Sequence, residues 1–203
     1  MNDELDTLLQ TAIVKGEEES CEALLEAGEA SVTRFHEWLS GDRRISLPTG
    51  RDREFIDTTT TVSCRLAARF PDRYVALFNS PRWATYSLVV AGLGYTRKPE
   101  VIPLLIEALF SDAPGVTRLS AASALGFFPG DESVGALLKA LVDDDYLVRY
   151  HAIMSLGSVG DRVALDRIRS LAETSANRGI VLAAAKAVRS IASRLGVSSN
   201  QEP

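Results

Sequence analysis

The sequence has little of what most catalytic and metal centres are built from. Among its 203 residues are two histidines and two cysteines, and the cysteines lack CxxC spacing. These counts exclude a histidine-rich metal site and disfavour both a zinc site and a disulfide framework. A GxxxxGK(S/T) loop and a GxSxG nucleophile motif are missing, and Gly92-Leu93-Gly94 lacks the third glycine of a dinucleotide-binding loop. We therefore predict a non-enzymatic protein that holds no cofactor or metal.

Long apolar runs are missing as well. No stretch approaches the roughly 20 uninterrupted apolar residues of a membrane span, and the first residues are acidic, whereas a secretory signal starts with basic ones. We expect a cytoplasmic protein that does not contact membranes. With 46% hydrophobic and 24% charged residues, the composition is typical of a soluble globular protein of one domain, or one domain with an appendage.

Acidic residues are concentrated at the start of the chain. Residues 1–30 contain nine of them and a single basic residue, Lys15, whereas the whole chain has a net charge of −5. The sequence pI near 5.2 predicts that nucleic acid is not a partner, because nucleic-acid-binding domains usually have a pI above about 9. The acidic end is either a site for a basic partner, as in an immunity-like inhibitor, or a solvated helix face.

The second half of the sequence contains an internal repeat. Small-residue helical runs end in Leu93-Gly94, Leu125-Gly126 and Leu156-Gly157, so that the glycines are 32 and 31 residues apart. Leucine-rich segments recur with the same period, and residues 134–141 have the i, i+3, i+4, i+7 spacing of one helix face. We therefore predict two helices in each repeat. We also predict that one of them ends at the repeat glycine, which would adopt the left-handed conformation. Residues 71–195 lack the alternation of strands, so we predict an all-α array.

The first third of the chain predicts helices without a clear repeat. Apolar spacing indicates helices over residues 3–14, 17–27, 31–39 and 55–70, and a polar loop over 41–52. We predict three regions, which are a divergent helical N-terminal region or cap over 1–70, a repeat array over 71–197 and a disordered tail over 198–203.

The clearest copy of the repeat is residues 143–149, DDDYLVR, followed by Ala152 and then Leu156-Gly157. At these residues the chain resembles the HEAT repeat, in the short variety of the phycobilisome lyases. The resemblance covers about 125 residues. It implies a right-handed α-α superhelix, a HEAT-like solenoid of four helical pairs.

The resemblance also suggests a role for two arginines that recur at one repeat position. In HEAT arrays such arginines commonly bridge to the acidic turns between helices. Arg118 and Arg149 would then pair with Asp112 and with Asp143 or Asp144. Phosphate binding is the alternative use of these arginines.

A candidate binding surface follows from the helix that contains Tyr150. At 100° per residue, Tyr150 and Met154 lie about 200–240° from the apolar Val148 and so face away from the core. The resemblance implies that second helices line the concave surface of the array. We predict a protein-binding surface of seven residues: Tyr95, Leu119, Phe127, Tyr150, His151, Met154 and Leu182. Alternatively, these side chains pack on the neighbouring repeat.

Three functions fit these observations. The first is a protein-binding scaffold or adaptor that holds an unidentified protein partner on the concave face. The second, implied by the resemblance, is a bilin lyase or bilin chaperone, to which Trp83, Arg149 and Tyr150 would contribute. The third is a DNA-alkylation-repeat glycosylase, which the acidic balance of the chain disfavours.

Overall fold

The structure is a computed structural model, and it describes residues 2–16, 18–42, 53–84 and 86–197. The predicted tail over 198–203 and most of the predicted loop over 41–52 lie outside these residues. The described ranges contain twelve α-helices and no strand. None of these helices is both long enough and apolar enough to cross a lipid bilayer.

The contacts divide the chain into two compact units, Met1–Val101 and Ile102–Pro203. The sequence-based boundary between residues 70 and 71 remains a prediction. The helices of the first unit are α1 (Asn2–Lys15), α2 (Glu18–Glu26), α3 (Glu29–Ser40), α4 (Arg53–Arg69), α5 (Pro71–Phe78) and α6 (Ser87–Tyr95), with 3-10 turns at Pro81–Trp83 and Pro99–Val101.

The helices of the first unit have local causes in the sequence. Helix α3 ends at Gly41, whose φ of 82° places it in the left-handed region that glycine adopts without steric cost. Helix α4 forms despite four consecutive threonines. The Thr59 and Thr61 hydroxyls donate to the carbonyls of Phe55 and Asp57, one turn back in the same helix.

An aromatic cluster forms the core between α3 and α5. Phe35, Phe78 and Trp83 are almost fully buried, and the Phe78 ring lies 6.1 Å from Phe35 and 5.1 Å from Trp83. The His36 ring meets Phe78 and Trp83 edge-on at 5.2 and 5.4 Å. His36 therefore contributes to the packing of this cluster.

The second unit consists of three helical pairs. Its helices are α7 (Ile102–Phe110), α8 (Gly115–Leu125), α9 (Asp131–Ala140), α10 (Tyr146–Val159), α11 (Arg162–Thr174) and α12 (Arg178–Leu195). The first helices of the pairs, α7, α9 and α11, form one layer, and the second helices, α8, α10 and α12, pack side by side in another. Asp145, Asp161 and Asn177 cap the N-termini of α10, α11 and α12 through backbone N–H groups.

The repeat glycines do not end their helices in the left-handed conformation, so this prediction was wrong. Gly94 and Gly157 lie inside α6 and α10, and Gly126 follows α8 with a right-handed φ of −64°. A Cβ on Gly126 would lie 3.1 Å from Cα of Ser155, and one on Gly157 would lie 3.2 Å from Cα of Ala187. The close approach of the next second helix therefore requires glycine at position 126, and at position 157 it leaves little room for a side chain.

Candidate functional site

The second helices of the second unit share a row of apolar side chains near their N-termini. Val116 on α8, Leu147 on α10 and Leu182 on α12 are 50%, 47% and 61% exposed. Leu119 and Tyr150 follow Val116 and Leu147 by three residues, and that spacing puts them on the same helix faces. We call these five residues the apolar column.

The column is most exposed on α12, the last described helix of the array. Leu119 and Tyr150 are half-buried, whereas Leu182 at the corresponding position of α12 is exposed. Helices α8 and α10 each have a following second helix packed against them, and α12 has none within the described residues. We attribute the greater exposure of Leu182 to the lack of a following second helix among the described residues.

Two further predicted residues, Phe127 and Met154, are half-buried in the second unit. Met154 lies one turn beyond Tyr150 on α10, and Phe127 follows the end of α8. The Tyr150 ring lies 6.2 Å from the Tyr146 ring and 5.7 Å from the His151 ring. Tyr146, Tyr150 and His151 therefore form a row of neighbouring half-buried rings on α10.

His151 connects two helices of the array. Its Nδ1 lies 2.7 Å from Oγ of Ser123 on α8, and the Ser123 hydroxyl lies 2.9 Å from the carbonyl oxygen of Leu119. Because the hydroxyl has one hydrogen, a Ser123 that donates to Leu119 must accept from a protonated His151 Nδ1. Burial lowers the pKa of His151, so the neutral imidazole with its proton on Nδ1 suits this position.

Tyr95, the seventh predicted residue, belongs to the first unit. It is the last residue of α6, is 44% exposed and lines a cavity of about 390 Å³ together with residues of α4 that include Cys64 and Arg65. Its part in a binding surface remains a prediction.

The cysteines lie in or beside two cavities of the first unit. Cys64 lines the cavity beside Tyr95, and Cys21 lines one of about 480 Å³ between α1, α2 and α4. Burial raises the pKa of the Cys64 thiol to about 12 and also raises the pKa of Cys21, to which Arg65 hydrogen-bonds. Reactive thiols have a lowered pKa, so both side chains stay protonated at neutral pH and suit packing.

An arginine of α8 connects this helix to the acidic turn before α10. Arg118 Nη2 lies 3.0 Å from Oδ1 of Asp143, Nε lies 3.1 Å from Oδ2 of the same carboxylate, and Nη2 also lies 2.7 Å from Oδ1 of Asp144. Burial acts to raise the pKa of Asp143, but the hydrogen bonds from Arg118 and from the Asp145 N–H outweigh it, and the pKa lies below its usual value. This part of the arginine ladder matches the expectation from the sequence.

The ladder is incomplete on both sides of this contact. Asp112 forms no ion pair among the described residues, and Arg149 Nη1 donates to the carbonyl oxygens of Asp143 and Asp144 at 2.6 and 3.0 Å. Asp145 caps α10 by accepting from the Leu147 N–H at 2.8 Å. The acidic turn therefore acts as a helix cap and an arginine partner. Within the ranges described, three or more potential metal ligands do not cluster.

Sequence reasoning missed the two exposed side chains that begin the column, Val116 and Leu147. Both are three residues before a predicted site residue, Leu119 or Tyr150, so the i, i+3 spacing of a helix face was the available signal.

Comparison with known proteins relates the chain to a repeat family and to a curated protein. The sequence pattern of HEAT repeats matches residues 71–145 and 102–189, which together cover more than half of the chain. The α subunit of a phycocyanobilin lyase from Synechococcus elongatus is 37% identical over 83 residues. That alignment covers 38% of this chain and 30% of the relative, so the chain spans less than a third of the length of the curated relative it matches.

Proposed function

Because the chain belongs to the HEAT-repeat family, we propose that it is a non-enzymatic scaffold that binds a segment of a partner protein along the apolar column. The observation that carries this proposal is the exposure of Val116, Leu147 and Leu182 in the N-terminal halves of three adjacent helices. Aligned apolar side chains on a protein surface often mark an interaction site, and helical repeats supply extended binding surfaces.

The predicted residues around the column complete the proposed surface. Leu119 and Tyr150 form its half-buried floor, and His151 and Met154 continue it along α10. Phe127 extends the surface beyond the end of α8. Tyr95 in the first unit remains a predicted contact.

A capture experiment tests this proposal. The wild-type protein, the double variant Leu147→Glu/Leu182→Glu and the control Val163→Glu are immobilised and exposed to extract of the native cells. Val163 is 63% exposed on α11, a first helix, so its substitution is matched in kind but lies outside the column. We expect the wild type and the control to retain the same protein and the double variant to lose it, because a charge in the column must be desolvated on binding. Retention of the same proteins by all three would contradict the proposal.

The lyase relative favours a second candidate function. A bilin lyase or bilin chaperone would use Arg149 and Tyr150 to address the propionates and rings of an open-chain tetrapyrrole. Trp83, the third residue considered for this role, is 1% exposed and packs in the aromatic core of the first unit. It is therefore covered by protein.

Absorption spectroscopy separates the two functions. Purified protein is mixed with phycocyanobilin, and the visible spectrum is compared with that of the free pigment. The scaffold function predicts an unchanged band. A shifted band that disappears in the Tyr150→Ala variant would favour the bilin function instead.

A further inference from the structure

The ladder of arginine–carboxylate contacts stops one repeat before the end of the array. Arg118 reaches forward to Asp143 in the turn before α10. The corresponding residue in the turn before α12, 32 positions later, is Ser175, and that turn contains no acidic residue. Arg149 therefore lacks the carboxylate that its counterpart binds. Among the described residues, its side-chain hydrogen bonds all come from Nη1, so Nε and Nη2 are left for another acceptor.

Three basic side chains of α12 likewise have no acidic partner among the described residues. Arg178, Lys186 and Arg189 are exposed and form no ion pair within the described part of the chain. Their spacing places them on one helix face with Leu182 between them. In contrast, Arg162 on the neighbouring α11 pairs with Asp166 at 3.7 Å, and Arg194 is within hydrogen-bonding distance of the carbonyls that end α10.

The exposed face of α12 lacks the glycine at which the other second helices are closely approached. Gly126 and Gly157 allow the next second helix to approach closely, and the residue at the corresponding position of α12 is Arg189. A long charged side chain thus stands where the two interior second helices have glycine. This difference disfavours a further HEAT helix stacked as closely as α10 on α8 or α12 on α10.

We propose that the partner segment bound at the column is acidic, with carboxylates that bind Arg149, Arg178 and Lys186 on either side of an apolar residue seated on Leu182. This inference rests on the proposed function and specifies the chemistry of the partner. Guanidinium groups bind carboxylates through paired hydrogen bonds, and complementary charges steer the encounter and fix its register. The apolar Leu182 at the centre favours a protein segment over a nucleic acid.

Selection from a phage library of random 16-residue peptides tests the proposal on the full chain. We expect peptides selected by the wild type to be enriched in Asp and Glu beside apolar residues. Replacing these acids with Asn and Gln in a selected peptide is expected to weaken its binding about tenfold or more, as for the loss of a hydrogen bond to a charged group.

Two charge-reversal variants locate the site. Arg178→Glu/Lys186→Glu is expected to weaken binding of a selected peptide about tenfold or more and to bind the peptide whose acids are changed to lysine. The control Arg162→Glu/Arg167→Glu changes the net charge equally on exposed positions of α11 and is expected to leave binding within about twofold. Arg149→Gln tests the arginine of α10 at the proposed site. The α12 variant tests the same site and leaves the hydrogen bonds of Arg149 to Asp143 and Asp144 unchanged.

Each alternative outcome identifies what has failed. Selected peptides without acidic enrichment, or equal binding to the α12 variant, would overturn the acidic partner and leave the scaffold function standing. Failure to select any peptide would count against both. Tighter binding of a 20-base-pair DNA duplex than of any peptide, lost on the same reversal, would overturn the proposal in favour of nucleic acid. Self-association of the wild type that the reversal abolishes would assign the face to a second copy.

Discussion

Two glycines of the array are favoured by the closeness of neighbouring helices rather than by their own backbone conformation. Neither Gly126 nor Gly157 has a positive φ, and each faces a residue of the next second helix at close range. The spacing between α8, α10 and α12, and with it the spacing of the column, therefore depends on a missing Cβ.

Gly126→Ala tests this dependence. The added Cβ would lie 2.6 Å from Oγ and 2.8 Å from Cβ of Ser155, so the helices must move apart, and we expect the free energy of unfolding to fall by about 1–3 kcal/mol. Gly135→Ala on α9 is the control, because nothing lies within 4 Å of its added Cβ. That change is expected to raise stability by up to about 1 kcal/mol. Urea denaturation measures both, and a Gly126→Ala protein as stable as wild type would disprove the close-approach explanation.

The two histidines make stability dependent on pH. Burial lowers the pKa of His36 and of His151 below the ordinary value of 6.5, and for His36 the nearby Arg82 adds to this effect. At pH 8 both are neutral whether the chain is folded or not. As the pH falls below about 6.5, the unfolded chain takes up protons more readily than the folded one, so the free energy of unfolding decreases.

Denaturation at pH 8, 7, 6 and 5 checks this dependence. The wild type is expected to lose stability between pH 7 and 5, and His36→Gln/His151→Gln is expected to lose less over the same interval. Asp143 does not contribute to the change in stability over this interval. Because its pKa in the folded chain is lowered, the stability that its carboxylate provides is lost only near and below the usual carboxyl pKa of 3.8. Equal slopes for the two proteins would show that the histidines are not the cause.

At the scale of helices, the contact between Arg118 and Asp143 ties α8 to the turn that starts α10. The two side chains are 16% and 12% exposed, so removal of one leaves the other partly buried without its partner. We expect Asp143→Asn to lower the free energy of unfolding by about 1–3 kcal/mol. Asp166→Asn removes the exposed contact with Arg162 on α11 and is expected to change stability by less than about 1 kcal/mol. Similar losses in the two variants would contradict a special role for the ladder.

How far the sequence predicts the elements depends on whether each signal is local. Acidic residues are local signals for helix starts, and the structure has Asp131 in the first turn of α9 and Asp161 as the N-cap of α11. The repeat period also gave the pairing of helices. The prediction of left-handed helix ends at the repeat glycines was wrong because helix ends and close contacts between helices both favour glycine. Only the position of the next helix distinguishes these two causes.

The candidate surface shows the same division. Helical phase placed Tyr150 away from the core, but its half-buried state depends on Tyr146 and on the helices packed around α10. The exposure of Leu182 depends on the array reaching its last described helix there. Helical phase can be derived from a single sequence, whereas the burial of Tyr150 and the exposure of Leu182 depend on how the repeats stack.

At the scale of the molecule, the proposed function follows from repetition. Each second helix of the array contributes one or two apolar residues, and none of these contributions is large by itself. In repeat proteins such contributions from neighbouring units add. If a partner lies across α8, α10 and α12, its binding is therefore expected to weaken progressively as Val116, Leu147 and Leu182 are replaced in turn.

Site-specific photocrosslinking tests the binding surface most directly. A benzophenone amino acid is placed at Leu147, at Leu182 or at the control position Val163, and native cells that contain each protein are irradiated. The account predicts one discrete protein adduct shared by positions 147 and 182 and absent from position 163. An adduct from position 163 alone, or no adduct from either position of the column, would contradict it.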